Sequence, residues 1–102
     1  MAASDQPDIL SALDGILAER QNADPDASYV ASLYAAGLNR ILEKIGEEAT
    51  EVVLAGKDNA DGGASEALVG EVADLWFHTL VLLSEQSLSS REVVDCLAER
   101  FG

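Results

Sequence analysis

Residues 66–85 (EALVGEVADLWFHTLVLLSE) constrain the fold of this chain more than any other segment. Leu68, Val69, Val72, Leu75, Trp76, Phe77, Leu80, Val81, Leu82 and Leu83 put apolar groups on nearly every side of a helix. A helix that is apolar all round is buried all round. The chain has only 102 residues, so few other elements can surround it. Chains this short bury a limited share of their surface, and a second copy is the natural supplier of the missing cover. No segment alternates apolar and polar residues as a half-buried strand does. The expectation is therefore all-α: one domain over residues 1–102, four to five helices in a bundle completed by dimerisation.

The rest of the chain divides readily. Residues 8–20 (DILSALDGILAER) place Ile9, Leu13, Ile16 and Leu17 at helical spacing, with Asp5 or Asp8 as the cap. QNADPDAS at 21–28 is a turn, and Ser28 caps a second helix reaching Ala35 or Ala36. Gly37 breaks or bends the chain before a long helical run from Leu38 to about Lys57. DNADGGAS at 58–65 reads as a loop around Gly62 and Gly63. Ser89 and Glu92 form a capping-box pattern that opens a last helix over 90–101, with Val93, Val94 and Leu97 inward.

Composition removes several function classes. Nineteen acids against six bases give a net charge of −13, which disfavours nucleic acid and anionic membranes as partners. The lone Cys96 forms no disulfide framework within one chain. The start, MAASDQPDIL, lacks a basic stretch followed by a long apolar run. The longest apolar stretch, 75–83, is interrupted by His78 and Thr79 and is shorter than the roughly 20 residues of a bilayer span. The expected setting is cytoplasmic, with no membrane partner.

The acids themselves are patterned. Glu48 and Glu51 repeat the three-residue step of Glu71 and Asp74, and both pairs lie in apolar helical segments. Residues three apart share a helix face. At about 100° per residue, Lys44, Glu48 and Glu51 fall within roughly 60° of one another, beside the apolar stripe of Ile41, Ile45, Ala49 and Val52. Glu47 lies at the edge of that arc. Glu71, Asp74 and His78 fall in a similar arc on the next helix. Packing the two helices on their apolar sides brings both acid stripes to one edge.

Buried carboxylates without partners neutralise or destabilise the fold. Lys44 and Arg40 cannot balance five acids; a divalent cation can. Zinc prefers thiolate and imidazole ligands. A ferritin-like di-iron site needs two Glu-x-x-His pairs, and this chain has one histidine. Mg²⁺ suits an all-oxygen site and usually serves phosphate chemistry. His78 reads either as a hydrogen-bonded core histidine or as a group that orients a ligand carboxylate or meets substrate. Lys44 reads either as an i,i+4 partner of Glu48 or as a phosphate contact.

LNRILEKIGEEATEVVLAGKD (38–58) and GEVADLWFHTLVLL (70–83) resemble the phosphoribosyl-ATP pyrophosphohydrolase family, as does ERQNADPDASYVASLYAAG (19–37). The similarity runs from about residue 9 onward. The four-carboxylate pattern alone is shared with MazG-like proteins and dimeric dUTPases; KIGEEATE and SYVASLYAAGLNRILEK narrow it. The resemblance implies hydrolysis of phosphoribosyl-ATP to phosphoribosyl-AMP and pyrophosphate, the second step of histidine biosynthesis. It also implies Mg²⁺ dependence and a homodimer or higher assembly. Carried over by position, Glu48, Glu51, Glu71 and Asp74 are the metal ligands. Glu47 joins Glu48 and Glu51 in the catalytic set, orienting water or acting as base. Lys44, Arg40 and His78 are the substrate-binding set, with Lys57 and Tyr34 as further candidates. Two other readings compete. One is a house-cleaning pyrophosphatase of dUTP or aberrant triphosphates; the other is a non-catalytic helical scaffold.

Overall fold

The structure, a computed structural model, describes residues 8–102, and five helices and no strand occur among them. They are α1 (Ile9–Arg20), α2 (Tyr29–Ala36), α3 (Leu38–Ala60), α4 (Ser65–Glu85) and α5 (Ser90–Phe101). Asp8 caps α1 by accepting from the Ser11 amide at 3.3 Å; Asp5 lies outside the described residues. Ser28 caps α2 through the Ala31 amide at 3.2 Å. Ser89 and Glu92 form the expected capping box on α5. Gly37, at φ +99°, ends α2 and starts α3 in one residue.

Helix α3 runs about a turn beyond the expected end near Lys57. Its Asp58-Asn59-Ala60 stretch reads as loop by propensity but is held by a C-terminal closure. Gly62, at φ +95°, donates to Asn59 O at 3.1 Å, and Gly63 donates to Asp58 O at 2.8 Å. This is the Schellman arrangement, which satisfies carbonyls that a helix end leaves open. A Cβ on Gly63 would lie 2.7 Å from Asp58 O, so no larger residue fits without movement.

The short link from Ala60 to Ser65 makes α3 and α4 a helical hairpin, the body of the molecule. Helices α1, α2 and α5 pack around one end of it. The core accordingly gathers there: Leu17 of α1, Leu33 of α2, Ile41 of α3, and Leu80 and Val81 of α4. Two polar staples fix α1 to the α4–α5 corner. Gln21 Nε2 donates to the Ser84 carbonyl and hydroxyl, both at 2.9 Å. Asp14 accepts from the Ser90 amide at 2.9 Å and from its hydroxyl at 2.6 Å, capping α5 from a distant helix.

Helix α4 is apolar but not covered on every side within one chain. Trp76 remains 58% exposed and Val69 67%, and Val53 on α3 remains 69% exposed. Val93, Val94 and Leu97, expected inward, are half-exposed instead; with Leu10, Trp76 and Leu80 they line an apolar groove of about 440 Å³. Periodicity identifies the apolar side of α5, but nothing in the described chain lies across it. At 21 residues α4 also reaches the length of a bilayer span, beyond what its interrupted apolar run suggested. It carries Glu71, Asp74 and the buried His78, and its packing against α1 and α3 marks it as the core helix of the hairpin.

Candidate active site

The hairpin sets Glu48 and Glu51 on α3 level with Glu71 and Asp74 on α4. One carboxylate oxygen each from Glu48, Glu71 and Asp74 lie within 4.8 Å of one another. Glu51 stands outside this tightest group but lines the same open groove, with Glu47, Lys44 and Thr50. The groove has a volume of about 530 Å³. The three-residue steps thus meet across the interface, because each pair occupies the border of its helix's apolar stripe.

The groove carries uncompensated negative charge. The pKa of Glu71 is raised, first by loss of water around it and then by the charges of Glu51, Asp74 and Glu48; a hydrogen bond with Asp74 also favours its protonated form. Lys44 is the cation of the groove. Its Nζ lies 3.3 Å from Glu47 Oε1 and 3.5 Å from Glu48 Oε1. Desolvation works against its charge. The hydrogen bond to Glu47, with the electrostatic influence of Tyr29 and the charges of Glu47 and Glu48, outweighs it, and the pKa of Lys44 is raised. Arg40 lies outside the groove lining and pairs with Glu43 at 3.0 Å and Glu47 at 3.6 Å.

His78 shares the helical arc of Glu71 and Asp74 but does not line the groove. It is buried, 5% exposed. Its Nδ1 lies 2.8 Å from the Asp74 carbonyl oxygen, an atom that can only accept. Nδ1 therefore carries the proton, and Nε2 accepts from the Tyr29 hydroxyl at 2.9 Å. Of the remaining candidates, Lys57 is exposed in the last turn of α3, and the Tyr34 hydroxyl is buried without a partner. Sequence reasoning missed Thr50 and Tyr29. Thr50 has the right phase on α3 to be found; Tyr29, outside the groove lining, meets His78 only through the tertiary contact of α2 with α4.

The match to the phosphoribosyl-ATP pyrophosphohydrolase family model spans residues 10–101. The chain belongs to that family. The match takes in both arms of the hairpin and all four carboxylates of the groove. A phosphoribosyl-ATP pyrophosphatase of Hydrogenovibrio crunogenus is 57% identical over 95 residues, covering 93% of this chain and 84% of that protein. One of Burkholderia multivorans is 55% identical over 95 residues, covering 93% and 78%. At such identity the phosphoribosyl-ATP pyrophosphohydrolase family extends over nearly the whole chain.

Proposed function

We propose that this chain hydrolyses phosphoribosyl-ATP to phosphoribosyl-AMP and pyrophosphate, the second step of histidine biosynthesis. The observation that carries the reading is the convergence of Glu48, Glu71 and Asp74 from two helices in a chain of this family. The donor set fits Mg²⁺: every ligand atom is a carboxylate oxygen, and the pKa of Glu71 is raised by desolvation first and then by the neighbouring carboxylate charges. Glu48, Glu51, Glu71 and Asp74 would hold the ion. When bound, Mg²⁺ supplies charge neutralisation for the triphosphate and lowers the pKa of a water.

The chain's own residues do the rest. Glu47, beside the ligands and half-exposed, orients the attacking water or takes its proton. The new bond joins the water oxygen to phosphorus; the bond that breaks releases pyrophosphate. Lys44, held at the groove wall by Glu47 and Glu48, meets phosphate oxygens, with Arg40 just outside. His78 has both ring nitrogens engaged and is buried, so it leaves the substrate-contact set and acts on the site from beneath. The exposed faces of Trp76, Val69 and Val53 support a homodimer that covers the hairpin.

The test is pyrophosphate release from freshly made phosphoribosyl-ATP, with Mg²⁺ or chelator, beside dUTP and ATP. Mg²⁺-dependent release from phosphoribosyl-ATP alone is expected. Release from dUTP instead moves the chain to the house-cleaning branch, and no release from any of them leaves the scaffold reading. Glu51→Gln and Asp74→Asn should each lower turnover by more than about 100-fold with helicity unchanged; full activity in both removes the metal site.

A further inference from the structure

The groove accounts for the triphosphate end of a nucleotide. The other end of phosphoribosyl-ATP is a purine between two sugars, and none of the carboxylates suits it. Tyr29, the first residue of α2, lies outside the groove lining, one imidazole ring away from the main chain of Asp74, which lines it. It also lies within electrostatic reach of Lys44 and Arg40.

Tyr29 combines two properties that rarely coincide. As a residue it is 54% exposed, yet its ring is held by its neighbours. The hydroxyl is tied to the buried His78 at 2.9 Å, and the tautomer of His78 is itself set by the Asp74 carbonyl. Phe77 stacks on the ring with centroids 6.4 Å apart at 24°, and His78 meets it edge-on at 6.0 Å and 85°. Holding a flexible side chain in advance lowers the entropy cost of binding. An aromatic ring contributes most when it meets another π-face.

We propose that Tyr29 is a specificity-determining substrate contact, its His78-anchored ring forming a stacking surface for the purine base while Lys44 and the carboxylate groove take the phosphates. This rests on the reading of the reaction given above. It names the base-binding element of the same site.

Calorimetry with two ligands tests it: phosphoribosyl-AMP, which has the base, and pyrophosphate, which lacks it, both with Mg²⁺. Tyr29→Leu should weaken phosphoribosyl-AMP binding about tenfold or more, the range for losing one stacked base. Pyrophosphate binding should stay within about twofold. Tyr29→Phe keeps the ring and loses its anchor, so its affinity for phosphoribosyl-AMP should fall between wild type and Tyr29→Leu. Equal losses for both ligands, or a changed assembly state by sedimentation, assign the ring to structure and overturn the proposal. So does unchanged affinity for phosphoribosyl-AMP, or its failure to bind the wild type. These outcomes separate from the reaction test: a wild type that releases no pyrophosphate refutes the substrate reading, while base-selective loss on removing the ring still stands as nucleotide recognition.

Discussion

Ser87 sits at φ +62°, the left-handed region that costs a side chain about 1 kcal/mol and suits glycine. The position closes α4 as Gly62 closes α3. Ser87 donates to Ser84 O at 3.0 Å and Leu88 to Leu83 O at 2.7 Å. Two helix ends thus use one geometry, one with the residue that favours it and one without. Ser87→Gly should raise stability by about 0.5–1 kcal/mol, read as a higher urea midpoint at unchanged slope. Glu71 offers a second test at this scale. With its pKa raised in the folded chain, the folded state keeps a proton that the unfolded state has already lost. Stability therefore falls as pH rises from the ordinary carboxylate value to the raised one, and the penalty is complete above it. In chelator, Glu71→Gln should be more stable than wild type at neutral pH, and the gap should close as pH drops through the carboxylate range. Denaturation curves across pH check both statements.

Among the elements, much was legible because the signals are local. Helical spacing marks all five helices of the described residues, and Asp8 (offered together with Asp5), Ser28 and the Ser89–Glu92 box are legible as caps from adjacent residues. The stripe arithmetic on α3 and α4 placed the acids at the edge of their apolar faces because both helices are straight runs of the same period. What was not legible depends on distant partners. His78 looked equivalent to Asp74 in phase, but the packing of α2 supplies Tyr29 and buries the imidazole. The end of α3 was placed too early because asparagine and aspartate are weak helix formers, while the glycine closure behind them overrides propensity. The cap that Asp14 provides to α5 from 76 residues away has no sequence signature. Removing it leaves the Ser90 amide and hydroxyl without their ionised acceptor. Asp14→Ala should cost about 1.5–3 kcal/mol, seen as a fall in thermal midpoint, whereas Asp8→Ala, at an exposed cap, should lower the midpoint less.

For the molecule as a whole, size and shape point the same way. Its radius of gyration is 15.2 Å, against about 13 Å for a compact chain of this length. Its extents of 42 × 30 × 26 Å describe an elongated body with a bare flank. With Trp76, Val69 and Val53 exposed, the described residues of one chain do not supply the cover that an apolar central helix calls for. Trp76→Glu places a charge on that flank. It should convert the proposed dimer to monomer in sedimentation at micromolar concentration and lower the thermal midpoint; a wild type that already sediments as a monomer contradicts the proposed dimer.

The one-ended core has a last consequence. Around Ile41 and Val81, both fully buried, the packing is tightest. Toward the hairpin tip, where Leu54 and Val69 are bare in the single chain, few apolar contacts within that chain oppose local fraying. The acidic groove lies between these regimes, on the boundary between a rigid base and a softer tip. Cover from a second copy would therefore stiffen the tip far more than the base.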